Sequence, residues 1–417
     1  MMRPPFLSNS TMSSVASEDS LSSVLSAFTT SSTTSVSEGG CQVTRWIIDT
    51  RSIWQGERIQ DVAAEYLAII SEEERTNILR KYFIADARMA LASALLKRAY
   101  IAMVTGLPWS QIQFSRKGHH IHGKPCWNPP ETPTPGYPWP TVDFNVSHQA
   151  GLVTLIGVYL PDPVIGTLQQ DYIAVGCDIV APNERSDLVT ISASDFEEYT
   201  STYSEIFSPE ELWDMTYNLP SNSVSLLNGE RLSADVLGRH DRLIVMDQVC
   251  EIRMPDGRVE EIGSEVIIDA KLRRFYTFFC LKEAYIKLVG EGLLAPWIKD
   301  CEFKNVRAPT PGNPIRCSTD AAWGGKVHGG RIPDRLTFLD QNDALLMAEE
   351  DLEIWFEGEE VQDVRTEVQS YGESFMISSM IRPATLLGPA GEFPDWHRVN
   401  LETDILDVAR RDPKAYL

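Results

Sequence analysis

The stretch FCLKEAYIKLVGEG, residues 279–292, has the period of a helix and the glycines of a helix exit, yet it sets Lys282, Glu283 and Lys287 among apolar neighbours. The pattern predicts a helix over 271–289 that stops at Gly290. Glu283 and Lys287 stand at i and i+4 in the favourable orientation, and on a solvated face such a pair contributes about 0.3 kcal/mol. Phe275, Phe278, Phe279, Ala284, Ile286 and Val289 cover much of the circumference, however, and leave little purely solvated face. A carboxylate in such a helix calls for a partner stronger than water.

Upstream, three more patches hold residues that could carry chemistry. VGCDIV, 175–180, is an apolar strand ending on Asp178, with Gly176 permitting close backbone approach. This can present a carboxylate to a magnesium ion, and it equally describes an edge-strand aspartate or a helix cap. FNVSHQAGLV, 144–153, ends a strand in Ser147-His148. The pair can donate hydrogen bonds to a phosphate; taken alone it is a polar turn. It is no nucleophile motif, because adjacent side chains on a strand point to opposite faces. FSPEE, 207–211, has Ser208, Pro209 and Glu211 at the N-cap, N1 and N3 positions, the pattern of a capping box. The loop SRKGHHIHGKP, 115–125, combines Arg116, Lys117 and Lys124 with glycines, as an anion-binding loop would, and its HHIH is read as loop and not as a metal site. Neither a Walker A nor a GxGxxG phosphate motif occurs.

The rest of the chain supplies a frame. Residues 1–41 are rich in Ser and Thr and are expected to be a disordered tail, without the basic character of a transit peptide. RWIIDT, 45–50, reads as a strand; Ser71 with Glu74 forms a capping box; and an Ala/Leu-rich helix runs over 86–104, started by Asp86. Strands follow around 111–114, 141–146 and 151–159, with a Pro-rich loop at 125–140 between the first two. A linker near 160–171 leads to the strand that bears Asp178. Residues 218–270 read as an insertion with a hairpin at MPDGRV, and strands lie near 301–306, 352–357 and 364–381. The acidic loops and tail after 305 read as decoration. The chain thus divides into a first half, 42–165, and a second, 166–417, with an acidic C-terminal extension.

Charge narrows the partners. The formal net charge is −22, yet residues 1–150 hold 13 basic and 13 acidic side chains, so the whole excess of acid lies later. Such a chain is a poor general binder of nucleic acid or anionic membrane, and an anionic ligand belongs near the first half. Seven scattered cysteines without a CxxC pair point to a reducing, cytoplasmic setting, and no apolar run has the length of a membrane span.

Taken in order, Gly123-Lys124-Pro125, Phe144 to His148, Val175 to Asp178, Phe207 to Glu211, and Phe279 to Lys287 followed by Gly290, Gly292 and Leu293 resemble the motifs of the surfactin-synthetase-activating (Sfp-type) 4′-phosphopantetheinyl transferases. Asp86-Ala87 is similar to the start of that family's N-terminal helix. The match covers 45–310, and the tail, the insertion and the acidic end resemble those of filamentous-fungal, broad-range members. The resemblance implies an α+β fold of two similar halves related by a pseudo-twofold, with the active site in the cleft between them. It implies transfer of phosphopantetheine from coenzyme A to a serine of acyl and peptidyl carrier domains, with release of adenosine 3′,5′-bisphosphate. Those carriers would belong to fatty-acid, polyketide, nonribosomal-peptide and aminoadipate-reductase enzymes. By motif, Asp178 and Glu283 would hold Mg²⁺, with Mn²⁺ as an alternative ion. Glu211 would be the general base, and Lys287, assisted by Lys282, would stabilise the pyrophosphate. Ser147 and His148 would grip the 3′-phosphate end of coenzyme A, with Lys124, Arg88 and Arg80 supporting the anion. Val180 departs from bacterial members, which often carry a second acid there. A monomer is expected, since the internal duplication supplies both walls of the cleft. Two other readings stand beside this one: a Mg²⁺-dependent nucleotide phosphohydrolase using Asp178 and Glu283, and an inactive carrier-binding module.

Overall fold

In the computed structural model of the chain, the structure describes residues 35–36, 40–117, 123–131, 139–161, 172–226, 228–291, 295–315, 322–330 and 351–416. Most of the Ser/Thr-rich tail, the 119–122 histidine loop, the 162–171 linker, Gly292 and Leu293 lie outside the described residues. Near the tail's end, Ser35–Val36 is a short strand paired with Gln42 and Val43.

The first half is built on three antiparallel strands, β1 (Gln42–Asp49), β2 (Thr141–Gln149) and β3 (Leu152–Leu160), with β3 in the middle. Across one face lies the helix α2 (Ile84–Thr105), preceded by α1 (Glu72–Leu79). Helix α2 begins two residues before Asp86, with Phe83 rather than an acid at its N-cap. Alanine and leucine favour the helix, and their small size lets it bury Leu91, Leu95 and Ile101 against Trp46, Ile48, Val153 and Leu155. Gly106 ends it in the left-handed region, φ 67°.

Helix α1 has the predicted capping box and is tied to α2 by one carboxylate. Glu74 accepts a hydrogen bond from the Ser71 hydroxyl at 2.8 Å and another from Arg98 Nη2 at 2.6 Å. Burial pushes this carboxyl up, but the charges of Arg98 and Lys97 and the Ser71 hydroxyl outweigh it and hold the pKa below the ordinary 4.5. A lowered folded value stabilises the native state above the unfolded pKa, and that contribution is lost as pH falls through the folded value. Glu74→Gln should therefore flatten the loss of melting temperature on acidification below pH 4.5, while near neutrality it simply lowers the melting point.

The second half is a four-stranded antiparallel sheet, β4 (Ala174–Val180), β6 (Trp323–Gly329), β7 (Arg365–Tyr371) and β8 (Phe375–Arg382), in the order β6-β7-β8-β4, while β5 (Cys301–Lys304) pairs instead with Glu353–Phe356. Against the sheet lies the 26-residue α4 (Ser264–Val289), with α3 (Pro209–Tyr217) alongside. Helix α4 starts seven residues earlier than the periodicity predicted, at the end of a hairpin made by Val249–Arg253 and Val259–Gly263. Phe275 and Phe278 are fully buried in this core with Met376 and Val368. The 218–270 insertion has a small core of its own, including Leu232, Ile252 and Ile262.

The residues after 305 correct the expectation of decoration. β6, β7 and β8 make up most of the second sheet, and the last segment returns to the first. His397–Arg398 pairs parallel with Trp46 and Ile47 of β1, and Ile405, Leu406 and Ala409 enter the core beneath α2. The strands near 364–381 are legible in the sequence, but not their place in the sheet: β7 and β8 are buried on both faces and show no alternation that would mark them as core beside acidic loops.

Candidate active site

The two sheets meet edge to edge where β2 runs beside β4. β4 carries Asp178 two residues before its end at Val180, and α4 crosses it at Gly176. A Cβ on Gly176 would collide with the Ala284 carbonyl oxygen and lie 2.7 Å from the Leu288 amide. The glycine thus serves contact between strand and helix, and this contact carries Glu283 and Lys287 to Asp178.

Lys287 Nζ lies 2.6 Å from Asp178 Oδ1. The Ser147 hydroxyl donates to the same oxygen at 2.8 Å and accepts from Lys287 Nζ at 3.0 Å. The i,i+4 pair seen in the sequence does not form as an ion pair; Lys287 reaches across to Asp178. Burial alone would lower the Lys287 pKa, but the negative charges of Asp178 and Glu283 outweigh it and raise it above its ordinary value. Glu283 makes no hydrogen bond among the described residues, and its carboxyl is pushed up to about 7, first by burial and then by the Asp178 charge, against Lys287.

Other expected members sit elsewhere. Glu211 and Lys282 form a clasp in the second core, 3% and 1% exposed, with Nζ 2.8 Å from Glu211 Oε2. The predicted capping box is present, so the Ser208 amide also donates to Oε2, at 3.0 Å, while the Phe303 amide donates to Oε1 at 2.9 Å. Lys282 further donates to the carbonyls of Ile298, at 2.9 Å, and Cys301. Burial pushes the Glu211 carboxyl up, offset in part by Lys282 and the two amides. With both oxygens occupied and almost no exposure, this geometry does not support Glu211 as a base for an incoming hydroxyl, or Lys282 as a contact to a phosphate.

Lys124 is likewise withdrawn from the anion: it is buried, ion-paired with Asp143, and donates to the Val175 carbonyl at 2.7 Å. Ser147 and His148 part company for the reason that adjacent strand residues must. Ser147 turns in to Asp178, while His148 is exposed on the other face. The protein on its inner side and the charges of Lys287 and Lys81 hold the His148 ring below its ordinary pKa, against Asp86. Arg80 and Lys81 are exposed at the end of α1, and Arg88 is half-buried, donating to the Trp54 carbonyl at 3.0 Å. Sequence reading missed Asp143 and Asn145, although polar residues at 143, 145 and 147 of an apolar strand are a period-two signal.

The family model described as "4'-phosphopantetheinyl transferase, N-terminal" matches residues 54–159. A 4'-phosphopantetheinyl transferase of Aureobasidium melanogenum is 42% identical over 88% of this chain and 97% of its own length. The chain belongs to the 4′-phosphopantetheinyl transferase family. The transferase is also 30% identical to 4'-phosphopantetheinyl transferase A of Aspergillus fumigatus, over 82% of this chain and 84% of that one. The L-aminoadipate-semialdehyde dehydrogenase-phosphopantetheinyl transferase of Schizosaccharomyces pombe shares 35% identity over 33% of this chain and 48% of its own. Val180, at the position of the second acid in bacterial members, is buried in the transferase's second core.

Proposed function

We propose that this transferase moves 4′-phosphopantetheine from coenzyme A to the serine hydroxyl of acyl and peptidyl carrier domains and releases adenosine 3′,5′-bisphosphate. The observation that carries the reading is the meeting of Asp178, Glu283 and Lys287, from a strand and a helix face, beside the exposed His148. Two carboxylates close enough to feel each other's charge, one lacking a hydrogen-bond donor among the described residues, are short of positive charge. That donor set of oxygens fits a hard divalent cation, so Asp178 and Glu283 would hold Mg²⁺, with Mn²⁺ as an alternative. When bound, the ion would supply charge to the pyrophosphate oxygens.

The residues of the chain do the remainder. Lys287, kept protonated, donates to the phosphate oxygens on which charge develops as the pyrophosphate bond breaks. Glu283, half-buried and without a hydrogen-bond partner among the described residues, is better placed than the enclosed Glu211 to receive the serine proton, directly or through water. A carboxylate has lone pairs enough for both duties. His148, with Arg80 and Lys81 at the corner before α2, would take the 3′-phosphate end of coenzyme A, and an anion there would draw a proton onto the ring.

In this reading the halves 42–165 and 166–417 form the two walls of the cleft as a pseudo-twofold pair, and the chain works as a monomer in the cytoplasm. Among the described residues no helix is long and apolar enough to cross a membrane. Aminoadipate reductase is among the carriers served, with fatty-acid, polyketide and nonribosomal-peptide enzymes; the Schizosaccharomyces relative's name supports the first. The test is incubation with coenzyme A, Mg²⁺ and an apo carrier domain. The carrier should gain one phosphopantetheine mass, and Asp178→Asn should abolish the gain. Hydrolysis of nucleotides without carrier would favour the phosphohydrolase, and carrier binding without any mass gain would favour the inactive module.

A further inference from the structure

The pattern Asp143, Asn145, Ser147 places three short polar side chains on one face of β2, each about 5% exposed or less. Opposite them is the edge of β4. The two strands belong to different sheets, and side chains make the join. The Asp143 carboxylate accepts from the Val175 amide at 2.9 Å, and the Asn145 side-chain carbonyl accepts from the Cys177 amide at 3.1 Å. One step further along, Ser147 meets a side chain, Asp178. The comb thus anchors the backbone of β4 twice and its functional carboxylate once.

Ser147 occupies a specific place in that group. Its proton goes to Asp178 Oδ1, its lone pair receives Lys287, and Lys287 also donates to Oδ1. Among the described residues no hydrogen bond falls on Asp178 Oδ2. Of the three ammonium N–H bonds of Lys287, two are used and one is left. The trio is not a Ser–Lys nucleophile pair, because a lysine held protonated by two carboxylates cannot take the serine proton.

We propose that the Ser147 hydroxyl is a positioning group for the transfer: it fixes Asp178 with Oδ2 unengaged and Lys287 with one N–H left over, and it does not bind the 3′-phosphate. This rests on the transferase reading above. The inference differs from a phosphate-gripping role in a measurable way. A positioning group supports the reacting geometry and so acts on kcat, whereas a ligand of the remote phosphate acts on coenzyme A binding and so on KM.

Steady-state transfer to an apo carrier, measured for the full chain and for Ser147→Ala, Ser147→Thr and His148→Ala, separates the two. Ser147→Ala should lose about tenfold in kcat, as expected for one hydrogen bond held in the reacting geometry, with KM for coenzyme A changed less than about twofold. Ser147→Thr, which keeps the hydroxyl, should recover most of kcat. Adenosine 3′,5′-bisphosphate should bind Ser147→Ala as it binds the wild type, and His148→Ala should bind it more weakly. A raised KM with kcat retained in Ser147→Ala, an unchanged kcat, or no recovery with threonine would each overturn the proposal. A wild-type chain that transfers nothing would instead overturn the transferase reading on which it stands.

Discussion

Lys287→Ala is expected to lower phosphopantetheine transfer by about 10²–10³-fold, the loss typical of removing one preorganised donor from a developing oxyanion. The expectation comes from where the ammonium is held. Lys287 lies against Asp178 and Ser147 on one side, and its charge is kept firmly on by Asp178 and Glu283 despite burial. It is therefore positive at any pH at which the enzyme works, and it needs no reorganisation when the pyrophosphate takes up charge. Its removal has a second consequence. Asp178 and Glu283 would face one another with no cation of the protein between them, and Glu283, already near 7, would be driven further towards its neutral form. The variant should depend more steeply on divalent ion concentration, because the ion would be the remaining source of positive charge there. Lys287→Arg should recover only part of the rate, since a planar guanidinium cannot reproduce the compact geometry shared with Ser147. Carrier mass gain over time is the measurement. Retention of more than about a tenth of wild-type kcat by Lys287→Ala would remove the lysine from the chemistry.

How far these residues were legible in the sequence depended on distance along the chain. The helix bearing Glu283 and Lys287, its glycine exit, and both capping boxes rest on local pattern and read correctly. Gly176 also read correctly as a point of close backbone approach. What Gly176 accommodates, a helix about 110 residues later, could not be seen. Where geometry and motif part, one physical cause recurs: a polar residue in a motif says that something must satisfy it, and the satisfying partner lies far away. Glu211 looked free to act because its second oxygen is met by the Phe303 amide, 92 residues on. Lys124 looked ready for phosphate because Val175, 51 residues on, was not yet beside it. Ser147 and His148 point to opposite faces, as strand alternation required of them from sequence, although the motif gave both one ligand. Only the motif held them together.

The largest expected effect on stability belongs to the clasp between α3 and α4. Lys282→Met should cost about 3–5 kcal/mol of folding free energy, the usual loss when one end of a buried ion pair is removed and the other is left uncompensated. Glu211 would keep its two amide donors but lose the Lys282 cation, in a site where burial already pushes its carboxyl up. It would then be held as the neutral acid or drive local opening. The double variant Glu211→Gln/Lys282→Met should be more stable than Lys282→Met, because no buried charge remains; it should not regain wild-type stability, because the carbonyls of Ile298 and Cys301 still lose their donor. Denaturant unfolding of wild type, Glu211→Gln, Lys282→Met and the double variant measures this directly. The same set decides whether the clasp is structural or chemical. Lys282 immediately precedes Glu283, so pinning it to α3 and to the loop before β5 sets the rotation of α4 that turns Glu283 and Lys287 towards Asp178. If that is its work, folded Glu211→Gln should transfer within about tenfold of wild type, whereas loss of a general base costs about 10²–10⁴-fold. A Glu211→Gln protein that is as stable as wild type yet transfers at a hundredth of its rate or less would show that the enclosed carboxylate opens to the substrate after all.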